Sequence, residues 1–234
     1  MLRDVLIEEP VISFSDCIIQ FYFFAVSGTL ECLLLTVMSY DRYLAICKPL
    51  HYHLLMNHRF CWVTVFTSWT LSNFLNIITT STIFQLQFCG PNKIDHFFCD
   101  LIPILKLSCS DTTIIQIALK SMIALLVVIP FCIVSVSYIY ILVTIFEIPS
   151  NIGRKRAFST CSSHLTVVSI YYGTLFCVYL IPSGGQSWNT SKFLSLLYTM
   201  VTPLMNPIIY SLRNKDFKKS VRKLISFSFS LAQH

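Results

Sequence analysis

Five apolar stretches, each long enough to cross a bilayer, alternate with polar connections along this 234-residue chain. They run approximately over Cys17–Tyr40, Phe60–Thr82, Ile114–Phe146, Phe158–Pro182 and Phe193–Leu212. Each meets the spanning requirement of roughly 18 or more mostly apolar residues. A lone segment in hydrocarbon has to satisfy its own backbone hydrogen bonds, so each stretch is expected to be a helix. Formal charges inside them are few: Glu31 in the first and Lys120 near the start of the third, with the titratable His164 in the fourth. Only 12% of the chain is charged, about half the share usual for a soluble domain. The expected fold class is an all-α membrane protein, one bundle occupying residues 1–234.

The net charge of +6 does not point to nucleic acid, because the cations fall in short clusters between apolar spans. Of the 17 Lys and Arg residues, twelve lie on one side of the expected membrane: Arg42, Lys48, Arg59, the run Arg154-Lys155-Arg156, and six in the tail beyond Leu212. By the positive-inside rule that side is cytoplasmic, which puts the N-terminus outside and the C-terminus inside. The tail segment 214–225 reads as an amphipathic helix. Phe217, Val221, Leu224 and Ile225 form one face and five cations the other, suited to anionic lipid. Residues Met1–Pro10 contain acids and no continuous apolar core, so they do not read as a signal peptide.

The longest connection, 83–113, is then extracellular and holds Cys89, Cys99 and Cys109, with Cys17 at the same level on the first span. Four cysteines in an oxidising compartment favour two disulfides, with three pairings open. A zinc site using His96 is the rival reading; it lacks the closely spaced cysteine pair usual for zinc, and no metal site is expected. The other six cysteines are expected to be small packing residues. Ser, His and Asp are scattered over different membrane depths without a nucleophile motif, so no enzyme and no cofactor is expected. A transporter would need repeat symmetry between halves, which is not visible.

Four patterns stand in fixed order at the expected membrane boundaries: MSYDRYLAICKPLHY (Met38–Tyr52), Ser137-Tyr138, RKRAFSTCSSH (Arg154–His164) and TPLMNPIIYSLRN (Thr202–Asn214). With the loop FCGPNKIDHFFCDLIPILKLSCSDT between the second and third spans, they closely resemble the olfactory receptors, a branch of the rhodopsin-like G-protein-coupled receptors. The family has seven spans, and Cys17 stands where its third begins. The resemblance therefore implies a partial bundle, N-terminally truncated, with the first two spans absent.

The resemblance implies an odorant-sensing receptor of the plasma membrane that couples to a heterotrimeric G protein of the stimulatory olfactory type. Its alternative is a non-signalling, truncated or pseudogene-derived fragment. The switch would comprise Asp41, Arg42, Tyr43, Tyr138, His164, Asn206, Pro207 and Tyr210. Arg42 would pair with Asp41 at rest and release on activation. The plainer readings are an interfacial anchor for Arg42, aromatic-belt tyrosines, and a static kink at Asn206-Pro207. The ligand set would be Phe24, Ala25, Gly28 and Thr29 on the first span, Met122, Ile123 and Leu126 on the third, Tyr179 on the fourth and Thr199 on the fifth. A pocket of that kind suits a small organic molecule. Glu31 would be an ion or polar site whose usual acidic partner is absent, so that it is either protonated or satisfied by hydroxyls such as Thr29 or Ser72. The implied disulfides are Cys17–Cys99 and Cys89–Cys109, the second closing a lobe that would act as a lid. Asn189 begins a glycosylation sequon in a loop too short to favour its use.

Overall fold

A computed structural model describes residues 12–89 and 98–179, with the isolated positions Leu204 and Ser220. The fifth expected span, the Asn189 sequon, and Thr199, Asn206, Pro207 and Tyr210 lie outside the described residues, as does the tail helix 214–225 apart from Ser220. Among the described residues the chain is helical: α1 (Phe14–Cys47), a 3-10 turn (Pro49–His51), α2 (Tyr52–Leu55), α3 (His58–Phe84), α4 (Leu101–Lys106), α5 (Thr113–Glu147) and α6 (Asn151–Tyr179). No strand occurs among them, only an isolated bridge between Phe88 and Ser108. Two compact units divide inside α5, Met1–Thr144 and Ile145–His234.

Local chemistry fixes the helix ends. Ser13 caps α1 by accepting from the Asp16 amide at 3.1 Å, and Asn57 caps α3 by accepting from the Phe60 amide at 2.8 Å. Pro49, two residues beyond α1, cannot continue that helix and opens the 3-10 turn. Before α5, the Asp111 carboxylate accepts from the Thr113 amide, and that bonding to Thr113 holds its carboxyl below the usual range.

Helices α1 and α5 are long and apolar enough to cross a membrane by length and composition. Helices α3 and α6, with 27 and 29 residues, have the length, but hydroxyls and amides dilute the first and a basic, serine-rich first half dilutes the second. The first unit nevertheless carries a membrane signature on α3. Its buried stripe is Ser68, Ser72, Asn76, Thr79 and Ile83, at helical spacing, while Trp62, Phe66, Trp69, Phe74 and Ile77 point outward. Small polar side chains inside and large apolar ones outside reverse the soluble pattern and match helix packing in lipid. The hydroxyls are not left unsatisfied, since Ser72 donates to the Ser68 carbonyl and Thr79 to the Leu75 carbonyl in their own helix.

Helix α1 is the axis of this unit. It runs antiparallel to α3, with Phe14 against Phe84 at one end (5.9 Å between centroids) and Tyr40 against Phe60 at the other (6.3 Å). Between those ends Tyr22 donates to Asn73 at 2.9 Å and Asn76 to Thr29 at 3.1 Å. With α5 it runs parallel, and contacting residues keep a separation of 94 to 97 positions: Cys32 with Leu126 and Cys47 with Thr144. Pro130 explains the first of these. Its ring nitrogen cannot donate to the carbonyl four residues back, which is that of Leu126, and the Cys32 thiol donates to this oxygen at 3.3 Å. Cys32 is thus more than a packing residue, and Cys61 and Cys132 do not pack inside at all but lie exposed.

The second unit opens with a tight turn between α5 and α6. The Arg154 guanidinium donates to the carbonyls of Ile148 (3.1 Å) and Phe146 (3.4 Å), which the end of α5 would otherwise leave open. A Cβ on Gly153 would lie 3.2 Å from the Ile148 side chain, so the turn closes onto a residue without one. Helix α6 begins seven residues before the expected span because the basic cluster is helical rather than loop. Its buried face is Cys161, His164, Val167, Val168, Tyr171 and Tyr172.

A double-mutant cycle tests the Cys32–Leu126 bond. Cys32→Ala is expected to cost about 1 kcal/mol of stability in the native chain. In a Pro130→Ala background the same change is expected to be nearly silent, because an alanine amide then serves the Leu126 carbonyl. Thermal unfolding in detergent reads both; equal losses in the two backgrounds would disprove the assignment.

Candidate functional site at the two ends of α1

At the C-terminal end of α1 the Asp41 carboxylate has two partners. One oxygen lies 3.3 Å from the Arg42 Nε, and the other accepts the Tyr52 phenol at 2.8 Å. The Pro49-initiated turn and α2 fold the chain back so that Tyr52, eleven residues on, reaches α1. That bond, together with partial burial and the charge of Asp41, pushes the Tyr52 phenol above its ordinary pKa, so it remains a donor throughout the physiological range. Arg42 keeps about a third of its side chain exposed, which leaves the guanidinium accessible to a partner. Such a partly solvated pair is held weakly, by roughly 0–1 kcal/mol.

Tyr43 stacks on Tyr40 and meets Tyr140 of α5 edge-on, 6.0 Å between centroids. One turn further, the Thr144 hydroxyl donates to the Cys47 sulfur at 3.2 Å. Tyr138 is buried on α5 beside Ser137, whose hydroxyl donates to the Ile133 carbonyl. His164 is 2% exposed, in the second unit. The structure thus brings together Asp41, Arg42 and Tyr43 of the expected switch and adds Tyr52, which the sequence reading did not single out. The signal for Tyr52 was its place after a proline turn in the same motif, KPLHY.

At the other end of α1, disulfides join Cys17 to Cys99 (5.5 Å between Cα atoms) and Cys89 to Cys109 (5.9 Å). Sulfurs in disulfides cannot act as thiolate ligands, which removes the donors a zinc site would need. The Cys99 amide also donates to Gln20 at 3.1 Å, and Phe98 packs edge-on against Phe24 at 4.6 Å. Cys17, Gln20 and Phe24 lie at helical spacing on one face of α1, so three different interactions fasten the loop to that face. Asp100 then caps α4, accepting from the Leu101 amide at 2.7 Å.

Helix α4 buries an apolar face despite its shortness. Leu101, Ile104 and Leu105 are buried in an apolar cluster with Cys17, Ile18, Phe21, Ile83, Leu86, Cys99 and Leu119. Three of the expected ligand residues, Ala25, Met122 and Ile123, pack against that cluster. Phe24, Gly28, Thr29 and Leu126 are half-buried in the same unit, and the side chain of Tyr179 lies outside what is described. Glu31 is half-buried on α1. The hydroxyls of Thr29 and Ser72 donate to the carbonyls of Ala25 and Ser68 in their own helices.

Long apolar helices, the small polar interior face of α3 and the disulfide-fastened loop are those of an all-α membrane protein. A family model described as "Olfactory receptor" matches residues 1–227. The chain is 48% identical to olfactory receptor 5G25 of Mus musculus over 229 residues, covering 98% of this chain and 72% of that protein. It is 46% identical to olfactory receptor 10A7 of Homo sapiens (97% of this chain, 72% of that protein) and 44% identical to olfactory receptor 2A12 of Homo sapiens (96% and 73%). The chain belongs to the olfactory receptor family, and so is a G-protein-coupled receptor rather than an enzyme.

Tyr52→Phe tests the latch directly. Losing the bond to Asp41 removes about 1 kcal/mol from the 3-10 turn and α2, equivalent to about fivefold faster amide exchange across 49–56. Unchanged exchange there would show that Tyr52 does not hold the loop.

Proposed function

We propose that this chain senses a small organic odorant within its helix bundle and activates a heterotrimeric G protein of the stimulatory olfactory type. On this reading it resides in the plasma membrane, with its N-terminus outside and its C-terminus in the cytoplasm. The observation that carries it is the Asp41 latch: an arginine about one-third open to solvent and held by a carboxylate that is itself shared with Tyr52. A latch this weak suits a two-state switch, because a ligand can shift an equilibrium only by its differential affinity for the two states. Arg42 is the group released toward the G protein, and Tyr43, Tyr138 and His164 belong to the helix faces rearranged with it. Asn206, Pro207 and Tyr210 are assigned to the same movement, Glu31 to a polar site within the bundle, and the basic tail to anionic lipid.

The ligand set Phe24, Ala25, Gly28, Thr29, Met122, Ile123 and Leu126, with Tyr179 and Thr199, is assigned to the odorant. The apolar cluster over Ala25, Met122 and Ile123 supports a site of largely hydrocarbon character.

The test is cyclic AMP accumulation in cells that supply the stimulatory G protein, with surface labelling measured in parallel. A broad odorant panel is expected to give at least one saturable response, and Arg42→Ala is expected to abolish it at unchanged surface labelling. Absence of any response from a surface-resident chain would refute the proposal.

A further inference from the structure

The two disulfides differ in what surrounds them. Cys17 and Cys99 are 4% and 3% exposed, within the apolar cluster that includes Ile18, Phe21 and Leu101. Cys89 and Cys109 are both exposed. Exchange with an outside thiol requires a thiolate to reach a disulfide sulfur, so access separates the two bonds chemically. A small thiol in solution meets Cys89–Cys109 and is kept from Cys17–Cys99.

The exposed bond also carries a junction with weak support beside it. Cys89 closely follows the end of α3 at Phe84, and Cys109 lies just before α5 begins at Thr113, so the bond ties the end of one helix to the start of the other. Across the same junction the Gln87 carbonyl accepts from the Cys109 amide at 3.0 Å and from the Ser108 hydroxyl at 3.2 Å, and the Gln87 amide donates to Ser110 Oγ at 3.1 Å. Gln87 is exposed, and hydrogen bonds that water can replace hold such a junction weakly. The attachment to α1 is built differently: beside Cys17–Cys99 it has the Gln20 bond, the contact of Phe24 with Phe98 and the buried cluster.

We propose that Cys89–Cys109 is a thiol-exchange site, opened by small thiols while Cys17–Cys99 stays closed. A thiolate attacks one of the two sulfurs and forms a mixed disulfide, as the other cysteine leaves as a thiolate. A second thiol attacks the small molecule's sulfur in that mixed disulfide and releases the remaining cysteine. The protein disulfide gains two electrons, two molecules of the small thiol are oxidised to their disulfide, and their two protons end on Cys89 and Cys109. Opening frees the end of α3 from the start of α5, and the loop remains fastened to α1.

The experiment uses the full chain in detergent. Free thiols are capped with N-ethylmaleimide, glutathione is added as the reducing thiol, and newly released thiols are capped with isotopically labelled N-ethylmaleimide and located by peptide mass spectrometry. Cys89 and Cys109 are expected to take the label about tenfold or more faster than Cys17 and Cys99. Amide exchange in the same samples is expected to quicken about fivefold or more at Gln87, Cys109 and Ser110, with the α1 amides around Cys17 unchanged. The double variant Cys89→Ser, Cys109→Ser is expected to exchange at the faster rate from the start and not to respond to glutathione. Equal labelling of the two pairs, or none at Cys89 and Cys109, overturns the site. Label at Cys89 and Cys109 with unchanged exchange at Gln87, Cys109 and Ser110 overturns the role of the bond in holding the junction. Both readouts are taken on the unsubstituted chain, so they decide the proposal even where the variant fails to fold.

Discussion

Polar atoms away from water have to be satisfied by the protein itself, and the first unit largely follows that requirement, Thr80 Oγ1 being a buried exception. Helix α3 shows it most plainly. Its interior stripe consists mainly of Ser, Thr and Asn, yet Ser72, Asn76 and Thr79 each bond a carbonyl one turn earlier. The same device recurs on α1, where Thr29 and Thr36 donate to Ala25 and Cys32. Hydroxyls spent in this way cost little inside lipid and leave the interior face small enough for close helix approach.

The requirement also sets the register between helices. A proline in α5 leaves one carbonyl open, and the partner that closes it comes from α1. A single bond would not fix two long helices, but Cys47 with Thr144 and Tyr43 with Tyr140 hold them again farther along, at an offset within one turn of the first. Sequence-distant positions are thereby tied to a common register, with a backbone defect at one end and side-chain contacts at the other.

Apolar run length made the long helices legible from sequence, because membrane thickness demands such runs. Cys17–Tyr40, Phe60–Thr82 and Ile114–Phe146 fall inside α1, α3 and α5. Hydropathy was blind to helix that projects beyond the apolar zone. The backbone ladder does not end where charge begins, so α1 continues through Asp41 and Arg42, and α6 starts before Arg154. Helix α4 was hidden for a different reason: six residues with a central proline carry no measurable periodicity, and its apolar face is defined only by what it covers. Tyr52 was hidden because its partner is set by a turn, not by spacing. The bond from Asn76 to Thr29 likewise depends on which groups meet across α1 and α3, which no single-chain pattern encodes.

The two ends of α1 are held by opposite kinds of force, and the difference is mechanically useful. Two disulfides, a backbone-to-Gln20 bond and buried aliphatics hold the loop end, and the disulfides do not yield to a small change in free energy. At the other end, one partly exposed ion pair and one phenol bond hold Asp41, together worth only about 1–3 kcal/mol. A ligand that binds one bundle arrangement a hundredfold better than another supplies about 2.7 kcal/mol of bias, enough to offset such a latch but not the covalent end. On the proposed function, a ligand bound at the disulfide end would act through α1 on its weak end, where Arg42 is held by partners it can leave.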